Sequence, residues 1–365
     1  MTKHDLPTPA LLLDLDRFES NLRKMAAHLR ERGLGFRPHA KTHKCLEVAR
    51  AQIAAGACGI CTAKLSEAEV FAAGGIRGLL ITTAIIGRQK IERALRLAAA
   101  APDTIFVVDD DNNAQELSDA AQAGKLDLNI AIDLYVGNRT GVAPGGPAVD
   151  LAQKLAKLPR LHFQGLQAYV GYASHTAPFA KRCEVSREAV SKAIETRRLL
   201  ERAGFAVPIV SGGSTGTYNI DSEIQGITEM QPGSFIFMDV EYSRIGGRDG
   251  ETYSDFSRAL TVVATVVSRP EPHKAIVDAG IKSFSTDKGL LPECRSVGGV
   301  VYAFAGDEHG RLDLSQAERD VKLGDRLEFV VPHCDPTVNL YDQIHGLRGE
   351  KVEAVWKIAA RGMSQ

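Results

Sequence analysis

What this chain has little of narrows its chemistry first. Its 365 residues include six cysteines, Cys45, Cys58, Cys61, Cys183, Cys294 and Cys334, too few and too scattered for a disulfide framework. That pattern points to a reducing compartment, and the cytoplasm is the expected location. Cys58 and Cys61 form a C-x-x-C, but no second pair or nearby Cys/His set completes a redox or zinc site, so two buried strand cysteines are expected. There is no excess of either charge. The 44 basic and 45 acidic residues leave a formal net charge of -1, without long-range attraction for nucleic acid or anionic lipid. No apolar stretch is long enough to span a bilayer, and Met1 to Pro9 lacks a basic segment followed by an apolar run. Internal repeats and low-complexity tracts are missing too. A small-molecule partner is what these exclusions leave.

What is present is a chain able to bury a sizeable core, with 44% apolar and 24% charged residues, in one large domain or two ordinary ones. Phe18, Leu22, Met25 and Leu29 have helical spacing within Asp16–Arg32, and Gly33 ends that segment. Short apolar strands then alternate with helical stretches: 35–39, 58–62, 79–82, 105–109, 129–134, 163–169, 209–211, and an eighth at 227–230. This alternation predicts an α/β fold, an eight-stranded βα (TIM-like) barrel, with a doubly wound sheet as the alternative. From about Ser257 the texture changes to β-branched runs at 260–268, 274–278, 300–304, 326–331 and 352–358, which predict a C-terminal mainly-β domain. The expected division is a barrel over 16–255 and a β domain over 256–365, joined by 1–15, where Leu11–Leu15 could add a strand.

Reactive residues fall at the expected carboxyl ends of the barrel strands, where such barrels place their active sites. Arg37-Pro38-His39-Ala40-Lys41-Thr42-His43-Lys44 gathers three cations and two imidazoles in eight residues. A lysine held there, partly desolvated beside other cations, suits Schiff-base chemistry, although a solvated basic turn has the same composition. Ser211-Gly212-Gly213-Ser214-Thr215-Gly216-Thr217 follows an apolar strand and offers close backbone approach plus hydroxyl donors. It lacks both G-x-G-x-x-G and the Gly-Lys-Ser/Thr ending, so a single phosphate fits it better than a dinucleotide or a nucleoside triphosphate. Arg139 sits in a Gly-bounded turn after a barrel strand, facing either a surface carboxylate or a cofactor ring nitrogen.

A further motif, Pro332-His333-Cys334-Asp335-Pro336, follows a β-rich run. If His333 to Asp335 is extended, imidazole and carboxylate point to one side and Cys334 to the other. One nitrogen and one oxygen suit manganese or magnesium completed by water, with zinc as a further candidate. A turn held by hydrogen bonds accounts for the same spacing, and a shifted register would bring Cys334 inward.

Taken in order, these motifs, with Thr8-Pro9-Ala10, Gln167-Ala168-Tyr169, Gln231-Pro232-Gly233-Ser234, Asp278-Ala279-Gly280 and His333–Asp342, resemble the D-threonine aldolase and D-serine dehydratase family across nearly the whole chain. That family has an alanine-racemase-like fold and uses pyridoxal 5'-phosphate. The resemblance implies that Lys41 is the Schiff-base lysine, with His39 beside it, Arg139 partner of the pyridine nitrogen, and Tyr169 next to the cofactor. Ser214, Thr215 and Gly216 would cradle the phosphate, and His175 would take part in proton transfer. Gly-Gly-Ser-Thr-Gly replaces the family's usual Gly-Gly-Gly-Thr-Gly, and Tyr135-Val136 replaces the small residues often found before the arginine turn. Family aldolases carry His-x-Asp where the zinc-dependent dehydratases carry His-x-Cys, so Asp335 favours retro-aldol cleavage of a β-hydroxy-D-amino acid such as D-threonine or 3-hydroxyaspartate. The alternatives are a dehydratase of D-serine or 3-hydroxy-D-aspartate and a non-catalytic cofactor carrier. A homodimer is implied as well.

Overall fold

The computed structural model describes residues 1–365, which divide into two compact units. The chain enters through β1 (Ala10–Asp14) and helix α1 (Leu15–Glu31), whose apolar stripe runs through the spacing expected above.

One unit comprises Met25–Lys41, Leu46–Gly233 and Gly362–Gln365. Its strands are β2 (Gly35–Phe36), β3 (Ile60–Thr62), β4 (Leu79–Ile81), β5 (Ile105–Val108), β6 (Leu128–Asp133), β7 (Leu161–Ala168), β8 (Ile209–Gly212) and β9 (Glu229–Met230). Helices α2 (Leu46–Ala54), α3 (Leu65–Ala73), α4 (Arg88–Ala100), α5 (Asp111–Gly124), α6 (Gly146–Leu155), α7 (Phe179–Arg202) and α8 (Tyr218–Asp221) fill the connections. All eight strands are parallel, in the order β2-β9-β8-β7-β6-β5-β4-β3. The ring closes between β2 and β3. There Phe36 O accepts from Cys58 N at 2.8 Å and Pro38 O from Cys61 N at 2.9 Å, and His39 bridges to Cys61. Strands such as Ile105-Phe106-Val107-Val108 are apolar at every position because both faces are covered, and Cys61, Leu80, Ile105, Val107 and Ala131 form one core cluster.

The closing seam explains part of the cationic octapeptide. Arg37 is buried and forks onto Glu229 of β9 with two contacts of 2.8 Å, Nε to Oε1 and Nη2 to Oε2. The alternative of a solvated basic turn therefore fails: a charged fork this deep exists only because its carboxylate partner is buried with it. The C-x-x-C is also corrected in part. Cys61 is buried in β3, but the strand begins only at Ile60, leaving Cys58 exposed ahead of it.

The other unit comprises Met1–Lys24, Thr42–Cys45 and Ser234–Arg361. Beyond the short helix α9 (Val240–Ser243) come β10 (Leu260–Glu271), β11 (Lys274–Val277), β12 (Glu293–Cys294), β13 (Val301–Phe304), β14 (Gly310–Asp313), β15 (Arg326–Val330), helix α10 (Cys334–Val338), β16 (Gln343–Arg348) and β17 (Lys351–Lys357). They form a nine-stranded sheet along β13-β14-β11-β10-β1-β16-β17, with β15 on β10 and β12 on β15. The N-terminal run does add a strand: β1 lies antiparallel to β10 and parallel to β16. Leu11, Leu12 and Leu13 are all buried as a result. Strands β14 and β16 were not legible as strands, the first opening on glycine and the second carrying Gly346 mid-strand, each weakening the β-branched signal. All six cysteines are free, and no helix is long and apolar enough to cross a membrane.

Candidate active site

The carboxyl ends of the barrel strands converge on a cleft of about 140 Å³ lined by His39, Lys41, Ala63, Thr82, Thr83, Arg139, Thr140, Gln167, Tyr169 and Gln231. They come from the segments at or after six strand ends, those of β2, β3, β4, β6, β7 and β9, so parallel strand geometry aims them at one point. Lys41 lies in a half-buried 3-10 turn, Ala40–Thr42. His39 shapes that turn: its Nδ1 accepts the Lys41 N–H at 3.4 Å and its Nε2 is 3.3 Å from Thr82 Oγ1. The neutral tautomer matching both contacts carries its proton on Nε2.

Arg139 forms no direct ion pair. Its guanidinium lies over the Tyr169 ring, 5.2 Å from the centroid, a cation–π contact that holds a planar cation in the cleft. Beneath the same turn Asp133 accepts from Thr140 Oγ1 at 2.6 Å. Burial, and then the neighbouring Asp109, push its carboxyl up to about 6, against the Thr140 hydrogen bond and Arg139. Gln167 and Gln231 exchange amide hydrogen bonds of 2.6 and 3.3 Å, and Gln231 also donates to Ser211 Oγ at 2.7 Å. This pair ties β7, β8 and the segment after β9 together at the cleft. Both glutamines belong to motifs that carried the family resemblance, yet neither had been assigned a site role, because a neutral amide has no distinctive charge pattern.

The loop Gly212–Thr217 follows β8 on the same rim. Ser214 and Thr215 are 3% and 1% exposed. Gly213 has φ +72°, and a Cβ there would lie 2.2 Å from Met230 Cε; one on Gly212 would lie 2.5 Å from Ala168 O. The glycine pair is therefore required by backbone conformation and by close approach. Gly216 N–H donates to Ser174 Oγ at 3.4 Å, linking the loop to the turn Ala173–His175 after β7. His175 ends that turn and is not among the residues lining the cleft. A cleft with an amine, a guanidinium stacked on a tyrosine and an imidazole, followed along the rim by a glycine loop with buried hydroxyl side chains, fits pyridoxal phosphate in its chemistry.

The His333 motif departs from the extended form expected for it. His333 is extended, but α10 starts at the next residue, because the Cys334 N–H is captured by the buried Asp239 carboxylate at 2.9 Å. The motif is a helix start, and alternation of sides along a strand does not describe it. Cys334 is fully buried with its Sγ 3.4 Å from Asp335 Oδ1; burial, then Asp239 and Asp335, push its thiol well up, which disfavours the thiolate a metal needs. His333 Nδ1 lies 2.8 Å from Asp287 Oδ2, and Ser285 Oγ holds both its N–H and its carbonyl at 3.1 Å. That pairing occupies Nδ1, so a metal, if one binds, would meet Nε2. Asp335 is half-buried, 3.4 Å from Ser234 Oγ. No set of three or more His, Cys, Asp or Glu side chains is arranged to hold a metal; one imidazole and one carboxylate from this turn would suit a hydrated hard or borderline ion. Asp239 and Asp287 escaped sequence reading, being distant in the chain and unremarked by any spacing.

Comparison with known proteins agrees with this architecture. The profile of the alanine racemase N-terminal domain matches residues 13–241, and that of a putative serine dehydratase domain matches 259–347. The chain is 38% identical to 3-hydroxy-D-aspartate aldolase of Paracoccus denitrificans (strain Pd 1222), covering 99% of this chain and 94% of that one. It is 39% identical to D-threonine aldolase of an Arthrobacter species, covering 98% and 93%. The crystal structure of D-threonine aldolase from Filomicrobium marinum superposes with a TM-score of 0.96 at 37% identity, over 100% of this chain and 98% of that one.

Proposed function

The chain belongs to the D-threonine aldolase and D-serine dehydratase family, and from that premise we propose that it is a lyase cleaving β-hydroxy-D-amino acids by retro-aldol reaction. D-Threonine would give glycine and acetaldehyde, and 3-hydroxyaspartate is the other candidate substrate. The observation that carries this reading is that Lys41, Arg139 and Tyr169 line a single cleft at the strand ends. Asp335 beside His333, in place of a cysteine ligand, supports the aldolase over the dehydratase.

When bound, pyridoxal phosphate supplies an electron sink at Cα, and a divalent metal supplies Lewis acidity towards the β-hydroxyl. Lys41 Nζ is the amine that would hold the cofactor covalently and release it when a substrate amine takes its place. The Ser214–Gly216 loop holds the phosphate. Arg139, unable to give up a proton readily, would face the pyridine nitrogen and leave it unprotonated, tempering the electron sink. Tyr169 supports both the arginine and the ring. His333 and Asp335 would hold the metal, manganese or magnesium before zinc. His175 accepts the proton of the β-hydroxyl as the Cα–Cβ bond breaks; the aldehyde leaves, and Cα takes up one proton to become glycine. We place the enzyme in the cytoplasm as a homodimer, with a small amino acid as its partner and neither nucleic acid nor membrane.

The test is product analysis by mass after incubating cofactor-loaded enzyme and manganese with D-threonine and, separately, D-serine. Glycine plus acetaldehyde from D-threonine is expected. Pyruvate plus ammonia from D-serine, with D-threonine untouched, overturns the aldolase reading. Indifference to both overturns the lyase reading.

A further inference from the structure

Behind the Gly212–Thr217 loop lies a carboxyl group for which the chemistry above has no use. Asp221, at the end of α8, is 1% exposed. Its Oδ1 accepts from Ser186 Oγ of α7 at 2.5 Å and its Oδ2 from Thr217 Oγ1 at 2.5 Å. Thr217 Oγ1 in turn lies 2.9 Å from Ser214 Oγ and accepts the Ser214 N–H at 3.2 Å. A chain of hydrogen-bonding groups thus runs from Asp221 through Thr217 to Ser214, a residue of the phosphate cradle.

No cation balances this carboxyl. On α7, Arg182 lies over Phe179 and donates to the Thr176 carbonyl, and Arg187 pairs with Glu223 at 3.4 Å. His28 of α1 contacts Ser222 Oγ and the Tyr218 ring, and Glu229 of β9 is taken by Arg37. Burial raises the Asp221 carboxyl to about 6, and only the Ser186 and Thr217 hydroxyls oppose it. A buried anion directly behind an anion-binding loop is unfavourable unless something removes its charge.

Each hydroxyl has one proton to give. When Asp221 is ionised both its oxygens only accept, so Thr217 must spend its proton on Oδ2. Ser214 then donates to Thr217 Oγ1, or else turns outward and leaves two oxygens face to face with no proton between them. When Asp221 is protonated its O–H donates to Thr217 Oγ1 and Thr217 donates to Ser214 Oγ. The Ser214 proton is then released towards the loop, with every other contact kept.

We propose that Asp221 is a positioning residue for the cofactor phosphate, its acid form directing the Ser214 hydroxyl to the phosphate through Thr217 and its ionised form turning that hydroxyl away. The proposal rests on the reading that this loop holds the phosphate of pyridoxal phosphate. Hydrogen-bond direction and charge act with the same sign, since the ionised form also repels the phosphate.

The experiment measures dissociation constants of the full-length apoenzyme for pyridoxal phosphate and for pyridoxal, which lacks the phosphate, between about pH 5 and pH 8, the range that brackets a buried carboxyl titrating well above its ordinary value. The ratio of the two constants isolates the phosphate contribution. Asp221→Asn, which can donate and accept like the protonated acid, controls for the phosphate's own titration. Relative to that variant, wild type is expected to lose roughly tenfold or more of its preference for pyridoxal phosphate as pH rises, the worth of one hydrogen bond to a charged group. The two should agree at the acid end, where Asp221→Ala should be weaker. Parallel pH profiles for wild type and Asp221→Asn overturn the proposal. Ser214→Ala is a second variant that leaves the buried carboxyl in place: it should weaken phosphate-dependent binding at pH 5 and little at pH 8, and an equal loss at both sinks the idea. Absence of any preference for pyridoxal phosphate in wild type at every pH instead removes the phosphate site itself.

Discussion

The loop Gly212–Thr217 and the turn His333–Asp335 are assembled by opposite means. The loop is almost sealed, its glycines dictated by backbone conformation and close approach, its hydroxyls bonded to one another, and its position fixed by a strand end. The turn depends on side chains from elsewhere in its unit: the His333 side chain is 17% exposed and its partner Asp287 42%. A site made of backbone geometry is rigid and general for its ligand class. A site oriented by one accessible carboxylate is adjustable, and its affinity can be tuned without disturbing the fold. Cofactor binding and metal binding should therefore fail separately.

The largest test of that separation is Lys41→Ala. Loss of the cofactor–lysine absorbance and of nearly all activity is expected, because the amine is what links the cofactor. Metal affinity, read from manganese by electron paramagnetic resonance, should not move. Retention of the absorbance band would falsify the assignment of Lys41.

Next in size is the barrel seam on which the cofactor side stands. Glu229→Gln leaves Arg37 buried without its carboxylate and should cost about 3–5 kcal/mol, seen as a large drop in Tm, whereas replacing both residues by methionine should cost far less. Equal losses for the single and double replacements would mean that the fork does not govern the seam.

Asp287→Asn addresses the metal side alone. Weakening of manganese binding by about 10–100-fold, with unchanged pyridoxal phosphate binding, is the expected outcome. Unaltered manganese affinity would show that Asp287 does not orient His333.

The last effect concerns pH. The Asp133 carboxyl sits at about 6 in the folded chain against an ordinary 3.8, so the folded state holds its proton longer than the unfolded one. Stability from this group is therefore full below about pH 4, falls between 4 and 6, and stays reduced above 6. Asp133→Asn should match wild type near pH 4 and exceed it at pH 7–8 by at most about 3 kcal/mol in chemical denaturation. A variant less stable at both ends would point to a functional carboxylate held by contacts that Asn cannot reproduce.

Much of the barrel was legible because its strands are short apolar runs set off by amphipathic helices, a pattern carried by adjacent residues. Lys41 and the Gly212–Gly216 loop were legible for the same reason: each is a dense local composition. The His333 motif was found by its residue types, but its conformation was not. Extended backbone stops at His333 because Asp239, 95 positions away, captures the next N–H and starts a helix. Strands β14 and β16 were passed over because tertiary pairing, with β11 and β13 for one and with β1 and β17 for the other, overrides a weak local signal.

By itself, then, the sequence determined the alternation of strands and helices, the change of texture near Ser257, and the candidates for the amine, the guanidinium and the glycine loop. Periodicity and composition are properties of neighbouring residues. Only the tertiary structure decided which carboxylates Arg37 and His333 meet: Glu229 for Arg37 across 192 positions, and Asp287 for His333 across 46. Such pairings depend on ring closure and strand order, which bring together residues whose separation along the chain carries no trace of the contact.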